Sequence, residues 1–303
     1  MRRLVLIANP SASGFTGAGF RRVVSTLAET FEVRTEWPDD AAGSRRCAAQ
    51  AAADGVDVVV AMGGDGVVHH VANGLVGTPT ALGIIPAGTT NVLARIHHMP
   101  KDAVKAAEAL RTAGVEIVPA ARVTFLDVDR EDDHAFFSFG VGLDADVVEV
   151  AERRPHSKLY FGPIHYLQTV AGRVLGSYRT KLPNLRVECA GERVDGVTVV
   201  VQVHDRYSYF GPLPLRLAPG GESDLTVAAI GRLDLATTAD VIGRLVTRRA
   251  IGNGTRVHVW TDVAQLSVSA EPATSMQADG EMLGKHSAIE VTLVNDAVAI
   301  LTP

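Results

Sequence analysis

The sequence is poor in cysteine, aromatics and lysine. Of 303 residues only two are cysteine, 5% are aromatic, and five are lysine against 24 arginine. Cys47 and Cys189 lie far apart and follow no metal-ligand spacing. That excludes a disulfide framework or a cysteine-based zinc module and predicts two buried, reduced thiols. No apolar run approaches the roughly 18 residues that a spanning helix needs. The longest runs are short and β-branched, such as Val56–Met62, which excludes an integral membrane protein built of helices. Met1-Arg2-Arg3 is followed by only five apolar residues before Asn9-Pro10, too few for the core of a signal peptide. The expected location is cytoplasmic. Internal repeats and low-complexity tracts are also lacking.

A surplus of positive charge is missing too. Residues 1–120 carry 11 Lys+Arg and 11 Asp+Glu, and residues 121–303 carry 18 and 23, so the net charge of −5 belongs wholly to the second part. A chain without a polybasic face is a poor nucleic-acid binder and is not held constitutively on anionic lipid. What is present is an ordinary globular composition, 47% hydrophobic and 21% charged, at about twice the usual domain length. Two domains are expected.

Residues 1–120 alternate short apolar runs with helical patterns. The runs are Leu4–Ala8, Phe31–Thr35, Val56–Met62, Ala81–Ile85 and Val115–Val118, and helices are expected near 17–30, 43–53, 67–76, 90–96 and 101–113. This is the pattern of an α/β nucleotide-binding domain with a mostly parallel sheet, whose strand ends share one crevice. After Pro119 the texture turns to β alternation. Leu185–Cys189 and Val194–Val203 flank a turn at Gly191-Glu192, and Arg256–Trp260, Leu266–Ala270, Met276–Ala278 and Ile289–Val294 follow. Helical insertions are expected near 163–177 and 236–249. The second domain, 121–296, is therefore expected to be a β-rich, sandwich-like unit, with 297–303 returning to the first.

The densest chemical signal is Gly63-Gly64-Asp65-Gly66, between a strand and a helix. Glycines there bring backbone N–H groups close to phosphate oxygens at a helix N-terminus. The same residues also suit a plain tight turn in which Asp65 caps the helix. Asn9-Pro10-Ser11-Ala12-Ser13-Gly14 and Pro86-Ala87-Gly88-Thr89-Thr90-Asn91 follow two other strands of the same sheet. Singly each reads as a cap and turn; together, at strand C-termini, they favour phosphate binding.

NPSASG at 9–14, GGDGVVHHVANGL at 63–75 and LGIIPAGTTNVLAR at 82–95 resemble the diacylglycerol kinase catalytic-domain family, which includes bacterial lipid kinases and sphingosine-kinase-like proteins. The resemblance continues through FGVGLDA at 139–145, through Ser157-Lys158, Phe161-Gly162 and His165-Tyr166, and through Ala278-Asp279-Gly280-Glu281. It implies an ATP-dependent lipid kinase. Asn9, Thr35, Gly63, Gly64, Asp65, Gly66 and Thr89 would hold ATP between the domains. Asp279, seconded by Glu281, would deprotonate a lipid hydroxyl, and Glu222 or Asp224 would serve Mg2+. Diacylglycerol is the leading acceptor and a sphingoid base the second. The partner implied is a lipid at the membrane surface, visited peripherally and reversibly, and members of the family often form homodimers.

Some positions depart from the family pattern. The usual threonine after the glycine loop is Val67, an acidic position falls within His69-His70, and Asn91-Val92 stands for Asn-Asp. A catalytically weakened nucleotide- or lipid-binding protein is the rival reading. His69 and His70 point about 100° apart on a helix and are read as helix-start or surface histidines, not as ligands of one metal ion. Asp279-Gly280 also suits a plain hairpin turn. Two aromatic stretches, Tyr160 to Tyr166 and Tyr207 to Phe210, suit either a lipid-facing surface or core packing, with Arg153, Arg154 and Lys158 the nearest basic residues to the first.

Overall fold

The computed structural model describes residues 1–152, 172–178, 180–218, 224–247, 249 and 251–303. They form two units, Met1–Pro119 with Asn295–Pro303, and Ala120–Val294.

The N-terminal unit is a parallel sheet with helices. Strands β1 (Arg2–Ala8), β2 (Phe31–Glu36), β3 (Val58–Gly63) and β4 (Ala81–Pro86) lie in the order β2-β1-β3-β4. All pairs are parallel. Every residue of β3 and β4 is buried, as expected for central strands covered on both faces. The last strand of the chain, β16 (Glu281–Thr302), adds to this sheet at its C-terminal end, with Ile300 opposite Leu82 in parallel.

Five helices connect these strands: α1 (Gly17–Ala28), α2 (Ala41–Ala53), α3 (Asp65–Leu75), α4 (Val92–Ile96) and α5 (Ala103–Thr112). Three start on side-chain caps. Thr16 accepts from the Gly19 N–H, Asp40 from that of Gly43, and Asp102 from those of Val104 and Lys105. Such caps are each worth ~1 kcal/mol. The N-cap residues of the other two, Gly64 of α3 and Asn91 of α4, make no side-chain cap bond of their own. Both follow the glycine loops.

The C-terminal unit is rich in strands. After β5 (Gly114–Phe125) come β6 (Asp133–Ala135), β7 (Ser138–Gly142), the helix α6 (Leu143–Glu152) and a π-helical turn at Val174–Tyr178. Then follow β8 (Leu185–Cys189), β9 (Glu192–Gly196), β10 (Thr198–Gln202), β11 (Ser208–Phe210), β12 (Leu213–Leu215), β13 (Leu225–Ile230), α7 (Leu235–Val246), β14 (Val257–Val263) and β15 (Gln265–Ala278). One series runs β14-β13-β10-β7-β15. The first half of β15 pairs instead with β8, and β8 with β9. Side chains of both series, among them Val199, Val201 and Leu225 from one and Val187, Leu266 and Val268 from the other, enclose one core. That is a sandwich-like arrangement.

Three expectations need correction. Val194–Val203 is not one strand: it breaks at Val197, whose N–H bonds the Ile230 carbonyl at 2.8 Å, and β9 and β10 then take different partners. The hairpin turn between β8 and β9 is Ala190-Gly191, both with positive φ (51° and 78°), one residue earlier than read. Leu266–Ala270 and Met276–Ala278 are the two ends of the single strand β15, whose register against β16 shifts between Ser269 and Thr274. Among the described residues no helix is long and apolar enough to cross a membrane.

Candidate active site

Parallel strands put all their C-terminal ends on one edge of the sheet. The loops after β1, β3 and β4 therefore meet, and they are hydrogen-bonded to one another. Gly14 N–H donates to the Ala87 carbonyl at 2.8 Å, Ala87 N–H donates to the Gly63 carbonyl at 2.8 Å, and Asn9 N–H donates to the Met62 carbonyl at 3.1 Å. Ser13 Oγ lies 3.5 Å from Thr89 Oγ1.

Their glycines serve this mutual approach. A Cβ on Gly88 would stand 2.5 Å from the Gly64 Cα, and one on Gly14 would stand 3.0 Å from the Ala87 carbonyl oxygen. Gly63 is closed by Val67, whose Cβ and Cγ2 would meet a Cβ at 2.8 Å. Gly64 differs: its nearest neighbour would be 3.5 Å away, an ordinary contact, and its φ of −88° suits any residue. The protein alone gives no steric reason for glycine there.

Asp65 caps a helix, but not its own. Its Oδ1 accepts the N–H of Val92 at 2.6 Å, the first residue of α4, and so ties the loop after β3 to the helix after β4. Asn91 sits in the left-handed region at φ 50°, which asparagine tolerates, and its side chain accepts from Gly88 N–H at 3.0 Å and donates to the Gly88 carbonyl at 2.7 Å. These stapling roles were not legible in the sequence, since each joins residues on different loops or curls a loop on itself. Asn9 accepts the Ser11 N–H through Oδ1 at 2.8 Å, an Asx turn. Thr35 is part-buried near the C-terminal end of β2, opposite Leu6, and Thr89 is exposed. Gly66 lies in the first turn of α3.

His69 is 1% exposed, which corrects its reading as a helix-start or surface residue. Its ring lies edge-on to His70, 4.9 Å between centroids, and Asn73 Nδ2 lies 3.4 Å from its Nε2. Cys189 is buried, and burial pushes its thiol up to about 11; Cys47 is only half-buried, with its thiol raised too, chiefly by burial.

In the C-terminal unit, Asp279 and Gly280 form the two-residue turn between β15 and β16, with φ of 54° and 86° and with Ala278 and Glu281 closing the hairpin. Positive φ at both positions is the geometry of a type I′ turn, where aspartate and glycine are favoured. The Asp279 side chain is 2% exposed. Its Oδ2 accepts from Phe136 N–H at 2.8 Å and its Oδ1 from Phe137 and Ser138 N–H at 2.9 and 3.0 Å, while its own N–H donates to the Ser138 carbonyl at 2.8 Å. An anion paired with three amides is well anchored. Glu281 is part-buried.

Asp224, part-buried, directly precedes β13, and Glu222 lies outside the described residues. Among the described residues no group of three or more His, Cys, Asp or Glu forms a metal site. Magnesium is commonly held by one or two carboxylates, with phosphate oxygens and water completing the shell, so Asp224 fits as a single ligand and not as a protein cage. Arg153, Arg154 and the motif residues from Ser157 to Tyr166 also lie outside the described residues. Tyr207 and Tyr209 are part-buried, and each has a polar partner: Tyr207 donates to Asp144, and Tyr209 accepts from Arg206 Nη1 at 2.7 Å.

Known proteins resemble the chain in sequence and in fold. The diacylglycerol kinase catalytic domain model matches residues 3–123. A diacylglycerol kinase of Staphylococcus saprophyticus is 26% identical over 266 residues, 85% of this chain and 80% of its own. Among solved structures, a diacylglycerol kinase of Bacillus anthracis shares the fold with a TM-score of 0.71 at 18% identity, covering 100% of this chain and 97% of that one. An NAD kinase from Archaeoglobus fulgidus, solved in complex with ATP, shares it more distantly, with a TM-score of 0.52 at 13% identity over 99% and 93% of the two chains. The interlocked loops of 9–14, 63–66 and 86–91 thus lie within the stretch 3–123 that is similar to the diacylglycerol kinase catalytic domain, and the chain is similar over most of its length to bacterial diacylglycerol kinases.

Proposed function

We propose that the protein transfers the γ-phosphoryl group of Mg-ATP to a lipid hydroxyl, with diacylglycerol as the acceptor and phosphatidic acid as the product. The observation that carries this is the set of three interlocked loops at the C-terminal ends of parallel strands, from one of which α3 starts without a side-chain cap. First-turn amides and the helix dipole suit an anion there. Gly64, which no protein neighbour requires to be glycine, fits a close backbone approach by phosphate.

In the reaction the lipid oxygen attacks the γ-phosphorus, the bond to the β-phosphate oxygen breaks, ADP leaves, and the hydroxyl proton passes to a carboxylate. Magnesium, when bound, neutralises phosphate charge. The resemblance assigns the proton to Asp279; burial of that carboxylate beneath three amides, with Glu281 part-exposed, makes Glu281 the competing acceptor. The protein would work from the cytoplasm, touching the membrane reversibly, as a homodimer in the manner of the family it resembles. Nucleic acid is not among its partners.

Incubation of the protein with radiolabelled ATP and vesicles carrying diacylglycerol, a sphingoid base or neither tests this. Magnesium-dependent labelled phosphatidic acid is the expected product, and Asp279→Asn should lower kcat roughly 10²- to 10⁴-fold if it is the base. A loss confined to Glu281→Gln moves the base to Glu281. Nucleotide binding with no transfer to any lipid refutes the kinase and supports the binding-protein alternative.

A further inference from the structure

Asp144 is a buried carboxylate with no part in the chemistry above. It lies in the first turn of α6, just after β7, and is 8% exposed. Its place is made by Gly140: a Cβ there would stand 1.9 Å from Asp144 Oδ2. Gly140 pairs with Gln277 across β7 and β15. The carboxylate therefore fills the space that the glycine leaves beside Gln277, itself 1% exposed.

The hydrogen bonds make a directed chain. Tyr207 donates its hydroxyl to Asp144 Oδ1, and Gln277 Nε2 donates to Asp144 Oδ2 at 2.6 Å. With its NH2 committed to the carboxylate, Gln277 must turn Oε1 the other way, where it accepts the N–H of Gly280 at 2.8 Å. The Gly280 N–H can only donate, so it pairs with the Gln277 oxygen while the Gln277 NH2 is held by Asp144, and the two bonds together fix which end of the amide faces the turn. Burying a carboxylate is costly, and an apolar residue of similar volume would hold a core as well or better. Its presence is explained if the turn needs one fixed orientation.

We infer that Asp144 is a positioning residue for the Asp279-Gly280-Glu281 turn, acting through Gln277, with Tyr207 holding its second oxygen. This rests on the proposed role of the turn in proton transfer. Asp144→Asn alone can keep the chain, its oxygen facing Gln277 and its NH2 donating to the Tyr207 hydroxyl, whereas Asp144→Leu removes the acceptor and frees the Gln277 amide to turn. Gln277→Glu sets two carboxylates against each other. The double variant Asp144→Asn with Gln277→Glu restores every bond. Its new amide accepts from Tyr207 through the oxygen and donates through the NH2 to the new carboxylate, which still accepts from Gly280.

The test measures kcat, the KM values for ATP and lipid, and Tm for the wild type, the single variants Asp144→Leu and Gln277→Glu, and the double. Each single variant should lose roughly 10- to 100-fold in kcat, the scale for a misplacement of about 1 Å, with KM for ATP within about twofold. The double should return to within about threefold of wild type. Wild-type kcat in Asp144→Leu, or a double as impaired as Gln277→Glu despite a wild-type Tm, overturns the inference. Should Asp144→Leu fail to fold, recovery of kcat from Gln277→Glu to the double decides the same question. Asp279→Asn and Glu281→Gln run alongside: if both keep wild-type kcat, the proposed role of the turn fails. Rescue seen in Tm but not in kcat marks the chain of bonds as structural only and overturns the positioning role.

Discussion

The two units make their candidate sites from different material. In the N-terminal unit the site is backbone: short loops after β1, β3 and β4, joined by amide–carbonyl bonds and by glycines that let the loops touch. In the C-terminal unit it is buried side chains, with Asp279 under the amides of 136–138 and Asp144 joined to Tyr207 and Gln277. A backbone site needs only a local run of permissive residues. A side-chain site needs partners brought together from distant parts of the chain, and it commits buried charge that must remain paired. The first is set by motif, the second by topology.

The largest expected effect falls on the side-chain half of this comparison. Asp279→Ala would leave three buried N–H groups without their carboxylate, at ~1–3 kcal/mol each. Denaturant unfolding should show a loss above about 3 kcal/mol. A variant as stable as the wild type would show that water replaces the carboxylate and that the anchor adds little.

Protonation should separate the units next, because their buried titratable groups respond oppositely to acid. His97, 6% exposed, has Nδ1 3.3 Å from Glu116 Oε2, and burial pulls its imidazole down to about 4. In the unfolded chain it titrates near 6.5, so the unfolded state binds more protons between those values. Stability from this group is present above about pH 6.5 and lost as pH falls towards 4, on the order of 3 kcal/mol in all. Asp144 is shifted the other way: burial raises it above the usual carboxylate range, against the hydrogen bonds from Tyr207 and Gln277. Its protonated form is favoured on folding, so acid relieves a cost there. His97→Gln should flatten the fall of Tm between pH 6.5 and 4, while Asp144→Asn should leave that fall in place. An unchanged acid limb in His97→Gln would show that another group sets it.

The smallest effect tests the backbone half. Gly88→Ala drives a Cβ to 2.5 Å from Gly64 Cα and should cost ~1–3 kcal/mol. Gly64→Ala meets nothing closer than 3.5 Å, so its Tm should stay within about 1 °C of wild type while the thermal shift given by Mg-ATP shrinks. Equal Mg-ATP shifts in Gly64→Ala and wild type would mean that phosphate does not approach this glycine.

Legibility in the sequence followed the same division. The strands and helices of the N-terminal unit stood out because central parallel strands read as unbroken apolar runs and each helix has a local pattern. The glycine loops stood out for the same reason, although the mutual packing of Gly88 and Gly64 did not. In the C-terminal unit the ends of β15 read as two strands, because the stretch around Glu271-Pro272-Ala273 is exposed and breaks the alternation. Val194–Val203 read as one strand, because nothing local marks Val197 as the place where partners change. Asp279-Gly280 was legible both as a turn and as a motif, and it is a turn whose aspartate also binds the amides of 136–138.

By itself the sequence determined which segments are strands and helices in the first unit, where the permissive loops fall, and the resemblance to diacylglycerol kinases. Periodicity, glycine and capping residues act over a few positions, so a one-dimensional reading reaches them. Tertiary structure alone decided that Asp65 caps α4, that His69 is buried, and that Gly140 yields its place to the carboxylate of Asp144. Each depends on a distance between residues that chain order leaves open, and such distances exist only once the strands have found their partners.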